Sequence, residues 1–375
     1  MRKRCLALLL ALLLALAQST AASAEGGVPL AGISKYGNLV LEITGEAFFA
    51  SGYDYGDVIS AEILGAAWRM PVGSSYSDVD EGKPVCRVES MEDAVVLAVN
   101  MGDLATSAGI AVKESLDEKP GYRWVFPEGV ELPLQISISM EETGAYRDEW
   151  LIRRLARTDE RADYSHLDDA AFANFRMVDT PGMAAGVLYR SSSPINPELG
   201  RSAYAVAAME EAGIRTVINL TDAAPDYPDW EGSYYAGCDV CFLNMNLDPM
   251  SEDFRTRFAE GLRFMLAHEG PYLVHCKEGK DRAGFVSAVL ECLMGADAQA
   301  VVDDYMETYY NYYGVQAGTG QYEAIVNSNI ASLLPQVFEA EDLFACDLAA
   351  EASEYLEGLG LSAEELDKLK AKLAG

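Results

Sequence analysis

Residues 275–284 read HCKEGKDRAG, and this stretch decides how the second half of the chain is interpreted. The apolar run YLV precedes it at 272–274, and the helical pattern FVSAVL follows it at 285–290. This order predicts a strand, a tight turn and a helix. Such a turn points the backbone N–H groups of residues 277–282 inward, with the positive end of the helix dipole behind them. The stretch therefore predicts a cradle for a phosphate dianion.

Two side chains in this turn favour a phosphatase over a passive anion site. Cys276 lies in the field of the loop amides, so we expect it to be a thiolate and a nucleophile. Arg282 carries a planar guanidinium that can hold two phosphate oxygens at once. A cysteine and an arginine at this spacing also occur by chance, and a half-buried cysteine is usually inert. The preceding His275, the glycine in the loop and the strand–turn–helix context favour the catalytic interpretation.

The first 24 residues predict a secretory signal peptide. Three cations at 2–4 precede the apolar run 6–17, and the small residues ASA at 22–24 predict cleavage before Glu25. The apolar run is too short to span a bilayer comfortably, and no later segment is apolar for long enough. We therefore expect an exported or extracytoplasmic, soluble protein without a stable membrane anchor.

The charge balance excludes some classes of partner. The formal net charge is −31, or −34 once the three cations of the signal peptide are removed. Nucleic acids and anionic membranes both require a basic footprint, so neither is expected as a partner. The positive potential that attracts phosphate must then be local to the loop. The residues expected to bind the substrate phosphate are Lys277, Glu278, Gly279, Lys280, Asp281 and Arg282.

Six cysteines follow the signal peptide: Cys86, Cys238, Cys241, Cys276, Cys292 and Cys346. An even number in an exported chain allows disulfides, but a chain of this length does not need them. Cys276 must stay reduced to act as a nucleophile. Cys238 and Cys241 lack a second pair, so zinc is not expected. A local disulfide, a resolving thiol and two ordinary strand cysteines all remain open, and we expect no metal or other cofactor.

The chain divides by pattern into four regions after the signal peptide. Residues 28–146 alternate polar and apolar side chains and predict a small β-rich accessory domain. Residues 147–169 form a charged linker or helix, which we expect to be solvated. Residues 170–340 alternate strands and helices, which predicts an α/β domain with a parallel-centred sheet flanked by helices. Residues 341–375 predict a helical C-terminal tail, with a capping box that begins at Ser362.

Several elements of the α/β region are predicted with bounds. Strands are expected at 188–191, 216–220 and 240–245. Helices are expected at 198–212, after a cap at Ser251, and at 283–294, 297–313 and 321–334. A cluster of tyrosines on one of these helices could form the wall of a cleft, but helical spacing favours core packing. Its members are Tyr305, Tyr309, Tyr310, Tyr312 and Tyr313.

Residues 275–284 resemble the signature of the cysteine-dependent protein tyrosine and dual-specificity phosphatases. They are most similar to a bacterial branch with the loop HCxxGKDRxG, which includes secreted enzymes acting on phosphotyrosine and phosphoinositides. The resemblance extends over roughly 170–335 and implies a tyrosine phosphatase-like fold. Its other landmarks are NFR at 174–176, LYRS at 188–191, GIRTVINL at 213–220 and DY at 304–305.

The resemblance also implies a mechanism. Cys276 would attack phosphorus in line and form a phosphocysteine intermediate, while Arg282 and the loop amides stabilise charge on the equatorial oxygens. His275 would support the loop by hydrogen bonding rather than act as a base. Two departures concern this mechanism. Ala283 replaces the serine or threonine that eases thiolate departure, and NLT at 219–221 replaces the DLR of many relatives.

A carboxylic acid should protonate the leaving oxygen and later activate water. Asp248, which lies 28 residues before Cys276, matches the mobile acid loop of the family and is the favoured candidate. Asp281, inside the cradle, matches an acid of the bacterial branch and is a close rival. Asp253 ranks third because it fits better as a carboxylate in the first turn of a helix.

Three functions follow from these residues. The leading one is hydrolysis of a phosphorylated protein, with phosphotyrosine or mixed phosphoresidues as substrate. The alternative is a phosphoinositide or inositol-phosphate phosphatase, because Lys277 and Lys280 place two cations within the loop. A third is a weakly catalytic module that binds phosphate, to which Ala283 and the appended β domain point. In that domain, YGNL at 36–39 and GDV at 56–58 resemble small β-barrel domains attached to some nucleoside-modifying enzymes.

Overall fold

Alternating side chains produce the first unit of the fold. In the computed structural model, Leu39 and Leu41 point into a core. Glu42, the residue that follows Leu41, faces solvent. The described residues are 27–117, 119, 121–224, 227, 230–246 and 248–375. The predicted signal peptide lies outside them. The boundary between two compact units falls between Arg154 and Leu155.

The described part of the first unit is a β-barrel with a small attached ribbon. Its strands are β1 (Val28–Ile33), β2 (Leu39–Thr44), β3 (Val58–Ile63), β4 (Ala66–Gly73), β5 (Pro84–Arg87), β6 (Ala94–Val99), β7 (Val112–Ser115), β8 (Tyr122–Val125) and β9 (Gln135–Glu142). Its helices are α1 (Gly45–Ala50), α2 (Leu104–Ser107) and α3 (Arg147–Ile152). The barrel closes in the order β1–β2–β6–β5–β4–β3–β9, and β7 pairs with β8. This confirms the β-rich N-terminal region.

The second unit alternates strands with helices, as the sequence predicts. Its strands are β10 (Arg176–Met177), β11 (Leu188–Ser191), β12 (Thr216–Asn219), β13 (Asp239–Phe242) and β14 (Tyr272–His275). Its helices are α4 (Asp169–Phe172), α5 (Ser202–Ala212), α6 (Glu252–Ala267), α7 (Asp281–Leu293), α8 (Ala298–Tyr313), α9 (Gly320–Ser328), α10 (Ile330–Phe338), α11 (Leu348–Gly358) and α12 (Ala363–Leu373).

The sheet of this unit places the loop 276–280 at its centre. The strand order is β10–β11–β14–β12–β13, and all pairs except β10–β11 are parallel. His275, the last residue of β14, pairs with Ser191 on one side and with Asn219 on the other. Three neighbouring strands therefore end at the same edge, which is where open α/β sheets bind ligands. The predicted fold class is confirmed.

Two helices differ from their predicted bounds. The helix predicted at 321–334 is two helices, α9 and α10, because the backbone of Asn329 leaves the helical region with φ −116° and ψ −97°. The helix predicted from 198 begins at Ser202, because Pro197–Leu199 forms a single 3₁₀ turn that Gly200 ends with φ +65°. The cap at Ser251 is confirmed, since its hydroxyl accepts the N–H of Phe254.

Candidate active site

The loop between β14 and α7 bends sharply at Gly279. This residue has φ +70°, a conformation that side chains other than glycine rarely adopt. A Cβ atom at this position would lie 2.3 Å from the carbonyl oxygen of Ser191 and 2.7 Å from the backbone nitrogen of Ser192. The loop can therefore pack directly on the end of β11 because residue 279 has no side chain.

Cys276 and Arg282 occupy the two ends of this loop. Cys276 is 3% exposed. Arg282 lies in the first turn of α7, where Nη1 donates to the carbonyl oxygens of Met245, at 2.9 Å, and Leu220, at 3.5 Å. These carbonyls hold the guanidinium at the edge of the sheet where the cysteine lies.

His275 is held by a chain of neutral hydrogen bonds. The Tyr235 hydroxyl accepts a bond from Asn219 Nδ2 at 3.1 Å and lies 2.9 Å from His275 Nε2. It therefore donates to Nε2, which leaves Nδ1 to face the carbonyl oxygen of Cys276 at 3.4 Å. Burial lowers the pKa of His275 to about 4. A neutral imidazole bonded on both sides supports the loop, and it is not placed to act as a base.

The departure at Asn219 changes how this edge is held. Its amide oxygen accepts the backbone N–H groups of Thr221 and Asp222, each at 3.0 Å. Its amide nitrogen donates to the Asp222 carboxylate at 3.0 Å as well as to Tyr235. An amide network thus occupies the position where an ion pair is expected in relatives that have aspartate and arginine.

A buried charge cluster supports the loop from below. The carboxylate of Asp304 bonds Nε of Arg176 at 2.9 Å and Nη1 of Arg190 at 2.5 Å. Arg190 is fully buried, and its Nη2 donates to the carbonyl oxygen of Gly279 at 2.8 Å. Burial opposes the charge of Asp304, but the two guanidinium groups lower its pKa to about 2. The cluster stays ionised and fixes the backbone of the loop.

A second carboxyl group lies beside this cluster. Glu291 of α7 is fully buried, and burial raises its pKa well above the usual value, with the charge of Asp304 adding to the effect. The raised pKa favours the neutral form of this carboxyl group, and the two arginines beside Asp304 place positive charge beneath the loop, which favours an anion above it.

Both lysines of the loop contact carboxylates of the same unit. Lys277 Nζ lies 2.7 Å from Glu198 Oε2, and both side chains are substantially exposed. Lys280 Nζ lies 3.2 Å from Glu278 Oε2 and 3.9 Å from Asp281 Oδ2. Burial opposes the charge of Lys280, but these carboxylates and two nearby tyrosines raise its pKa. Lys280 is thus a permanent cation inside the loop.

The predicted charged bridge contributes to this loop, contrary to the expectation that it is solvated. Arg157 Nη1 lies 2.9 Å from Glu278 Oε1, and the side chain of Arg157 is only 18% exposed. Its guanidinium stands over the ring of Tyr312, 5.1 Å from the centroid. Arg157 is largely buried because it pairs with Glu278, a carboxylate that lies 121 positions later in the sequence.

The three candidate acids lie in different surroundings. Asp281 begins α7, and burial raises its pKa, although the charge of Lys280 opposes the rise. Asp248 is exposed on the loop before α6, where its carboxylate accepts the N–H of Met250 at 3.1 Å. Asp253 pairs with Arg257 at 2.7 Å within one turn of α6. This fits the interpretation of Asp253 as a helix carboxylate.

A cleft of about 290 Å³ opens beside the loop. Asp281 and Arg282 supply its charged wall. Pro249, the residue after Asp248, lies at its rim. The apolar and aromatic walls are Pro249, Phe254, Phe285, Tyr305, Ile330 and Leu333. The cleft therefore lies against the first turn of α7, next to Arg282, and Cys276 is not among the residues that line it.

The tyrosine cluster contributes both to the core and to the wall of the cleft, the two roles considered from the sequence. Tyr305, Tyr309 and Tyr312 are buried, which agrees with core packing. Tyr305 also lines the cleft, and the Tyr312 hydroxyl donates to the carbonyl oxygen of Glu278 at 2.8 Å. Tyr310, by contrast, is 37% exposed. The cluster is core on one side and supports the active-site loop on the other.

All six described cysteines are free thiols. Cys238 donates to the carbonyl oxygen of Ile214 at 3.3 Å, and Cys241 is buried in β13. Burial raises the pKa of each to about 11. Both behave as ordinary cysteines of the sheet. Among the described residues, no group of three or more His, Cys, Asp and Glu side chains is arranged to hold a metal ion.

Sequence reasoning did not assign the residues that support the loop. In the sequence, Arg190 and Asp304 stand out only as landmarks of a resemblance, and nothing there marks Tyr235. A usable signal was present for Arg190, since an arginine in the short apolar strand 188–191 must be buried, and buried charges are paired. No comparable local signal marks Tyr235, because its role depends on a contact 40 residues away.

The fold and the site define a hydrolase that acts on phosphate esters. Residues 172–375, more than half of the chain, match the model of the tyrosine phosphatase family, so the chain belongs to that family. This confirms the family expected from the sequence. The match continues to residue 375, beyond the point near 335 where the resemblance was expected to end. Residues 32–117 match the model of the SAM hydroxide adenosyltransferase C-terminal domain.

Several solved structures are similar to parts of the chain. TpbA from P. aeruginosa in complex with pTyr is 21% identical, with 56% of this chain and 94% of that chain covered and a TM-score of 0.29. The core catalytic domain of the PP-IP phosphatase SIW14 from S. cerevisiae is 15% identical, with 44% and 94% covered and a TM-score of 0.26. An uncharacterized conserved protein from Thermotoga maritima is 17% identical, with 30% and 35% covered and a TM-score of 0.23. No curated protein matches the chain.

Proposed function

We propose that this phosphatase hydrolyses phosphotyrosine in proteins through a phosphocysteine intermediate on Cys276. The thiolate attacks phosphorus, the bond from phosphorus to the leaving oxygen breaks, and water then hydrolyses the thiophosphate and releases inorganic phosphate. Arg282 and the loop amides hold the three equatorial oxygens during both steps. The single observation that carries the proposal is the cleft in which Asp281 and Arg282 face aromatic and aliphatic walls.

The walls of this cleft favour an aromatic leaving group. Phe254, Phe285 and Tyr305 line the cleft next to the charged residues, and Tyr305, at 6%, is the most exposed of the three. An aryl group can pack against such rings, which adds about 0.5–1.5 kcal/mol beyond the burial of its area. A serine or threonine side chain has no ring to place there and is also shorter. The cleft therefore supports phosphotyrosine over the aliphatic phosphoresidues.

Asp281 is the general acid in this proposal. Its carboxyl group lines the cleft, and partial burial raises its pKa, although 43% of the side chain is exposed. This assignment reverses the order expected from the sequence, and Asp248 becomes the rival, because Pro249 places its loop at the rim of the same cleft. The two roles differ in one measurable way, since the loss of the acid slows poor leaving groups far more than good ones.

The inositide alternative requires lysines that are available to additional phosphates. In this unit, Lys277 lies against Glu198, and Lys280 lies between Glu278 and Asp281. A second or third phosphate would have to displace a carboxylate from each ammonium group. This is the reason for placing phosphotyrosine first, although both lysines lie in the loop.

The test combines a substrate panel with three variants. Released phosphate is measured on a phosphotyrosine peptide, a phosphoserine peptide, phosphoinositides and phytate, without added metal. We expect the tyrosine peptide to turn over fastest, Cys276→Ser to abolish turnover, and Asp281→Asn to slow alkyl esters more than p-nitrophenyl phosphate. Turnover that persists in Cys276→Ser, or inositides hydrolysed about a hundredfold faster than the peptide, would refute the proposal. A leaving-group effect confined to Asp248→Asn would move the acid to that residue.

The N-terminal sequence supports a location outside the cytoplasm. Its basic start, short apolar run and small residues before Glu25 form the pattern of a signal peptide. We therefore propose export, with phosphorylated proteins outside the cytoplasm as substrates. Among the described residues, no helix has both the length and the apolar character needed to cross a membrane.

A further inference from the structure

Arg157 lies in the segment between the barrel unit and the residues matched to the family, which begin at 172. We infer that Arg157 is a positioning residue of the active site, which neutralises Glu278 and so keeps Lys280 available to the substrate phosphate. This inference rests on the proposed function, because it concerns how the same loop binds an oxyanion. It adds to the site a residue from outside the matched region.

The Glu278 carboxylate is shared between two cations. Its Oε1 lies 2.9 Å from Arg157 Nη1, and its Oε2 lies 3.2 Å from Lys280 Nζ. All three side chains are largely buried, with 18%, 24% and 18% of Arg157, Glu278 and Lys280 exposed. Coulomb attraction is weakly screened in such a place. A change at one cation therefore alters how strongly the carboxylate binds the other.

The charge balance of the loop makes this sharing matter. Residues 277–282 carry three cations and two anions, which leaves one net positive charge for binding a dianion. Arg157 adds a further positive charge next to Glu278, and its Nε also lies 3.5 Å from Oδ1 of Asp159, a more exposed carboxylate. Without Arg157, the Glu278 carboxylate is left with Lys280 as its ion-pair partner. An incoming phosphate must then compete with Glu278 for the ammonium group of Lys280. Arg157 thus raises the affinity for the phosphate without touching it.

The segment that carries Arg157 is fixed to the phosphatase unit. The hydroxyl of Tyr164 lies 2.8 Å from the carbonyl oxygen of Thr158 and 3.0 Å from that of Tyr312. Arg201, which is 1% exposed, also reaches the Thr158 carbonyl and stands over the Tyr312 ring. The guanidinium of Arg157 covers the same ring. The position of Arg157 is therefore set by packing rather than by its ion pair alone.

Tyr312 joins this arrangement to the loop backbone. Its hydroxyl donates to the carbonyl oxygen of Glu278 at 2.8 Å, and Asn174 Nδ2 donates to the same oxygen at 3.2 Å. Glu278 is thus held at its backbone by Tyr312 and at its side chain by Arg157. The electrostatic and the structural contributions can be separated, because Glu278→Gln removes the charge of the side chain and leaves the backbone contacts.

The experiment is a double-mutant cycle on the full chain, with orthovanadate as the oxyanion and its dissociation constant measured by calorimetry. We expect Arg157→Met to weaken vanadate binding about tenfold or more, because it leaves a buried carboxylate without one of its two partners. Glu278→Gln should bind vanadate at least as tightly as the wild type. The double variant should recover most of the affinity lost in Arg157→Met, since no unpaired carboxylate remains.

Arg161→Met is the matched control on the same segment. Arg161 bonds Asp169 and the carbonyl oxygens of Tyr164 and Leu167, all within 161–169. The Arg161→Met variant should therefore bind vanadate with the affinity of the wild type. A double variant as weak as Arg157→Met, or equal weakening in Arg161→Met, would show that the segment acts only through folding and would overturn the inference.

Two further readouts keep the outcome decisive. If Arg157→Met fails to fold, Arg157→Gln replaces it in the cycle, and Glu278→Gln alone still decides, since weaker vanadate binding in that variant contradicts the inference. Turnover by the wild type is measured in parallel. If activity survives Cys276→Ser, the proposed mechanism fails. If the double-mutant cycle still shows coupling between Arg157 and Glu278 in vanadate binding, this inference stands.

Discussion

Replacing Gly279 with alanine should damage both the stability and the activity of the phosphatase unit. Gly279 has φ +70°, and the added Cβ would lie 2.3 Å from the carbonyl oxygen of Ser191. Real Cβ atoms do not approach a heavy atom closer than 3.0 Å, so the loop or β11 must move by at least 0.7 Å. The substitution therefore combines a strained backbone conformation with a clash.

The magnitude can be worked out from these two terms. An alanine in the left-handed region costs about 1–2 kcal/mol. Forcing extra atoms into a packed site adds about 1–3 kcal/mol. The total expected loss is therefore about 2–5 kcal/mol in the free energy of unfolding. A displacement approaching 1 Å at the loop that holds Cys276 and Arg282 should also lower kcat/KM by about a hundredfold.

Gly213 supplies the matched control. It has φ +65° and ends α5, but no heavy atom lies within 4 Å of a Cβ built there. Gly213→Ala should therefore cost only the backbone term, about 1–2 kcal/mol, with kcat/KM unchanged. Urea unfolding and turnover of p-nitrophenyl phosphate measure both variants. Equal losses of stability in the two variants, or full activity in Gly279→Ala, would refute the reasoning from the Ser191 contact.

Two further predictions concern buried charges. Arg190→Met should lower the free energy of unfolding by about 3 kcal/mol, because Asp304 loses one of its buried partners, whereas Arg215→Met, at the surface, should be nearly neutral in the same urea experiment. Burial lowers the pKa of His275 from 6.5 to about 4 in the folded state. A contribution of about 3 kcal/mol to stability is therefore expected above pH 6.5 and should be lost as the pH falls towards 4. Unfolding from pH 4 to 7 should show a shallower loss in His275→Gln, and identical slopes would contradict it.

The centre of the site could be predicted because its signals are local. The strand, the loop and the helix around 275–284 follow one another directly, so their order alone predicts the anion cradle. The cap at Ser251 is local in the same way, since its hydroxyl bonds a backbone N–H three residues later. The break at Asn329 is not marked by glycine or proline, and a continuous helical pattern therefore hid two helices.

The supporting residues could not be predicted because they depend on tertiary contacts. Asp304 meets Arg176 and Arg190 across 128 and 114 positions of sequence. Arg157 was interpreted as part of a solvated bridge because a run of mixed charges is usually surface. Only the folded chain shows that Glu278 lies within reach. Pattern predicts which elements form, whereas the pairing of buried charges depends on where those elements meet.

The buried guanidinium groups of Arg176 and Arg190 also affect how salt acts on the reaction. In physiological salt the repulsion from a chain with net charge −31 acts on a phosphorylated molecule mainly within about 8 Å of the acidic surface, and it reaches further at lower ionic strength. Inside the loop the molecule faces cations that dissolved ions hardly screen, because protein surrounds them. Added electrolyte therefore weakens the distant repulsion and spares the attraction at close range. We therefore expect substrate binding to strengthen with ionic strength, whereas a basic protein that binds the same substrate loses affinity.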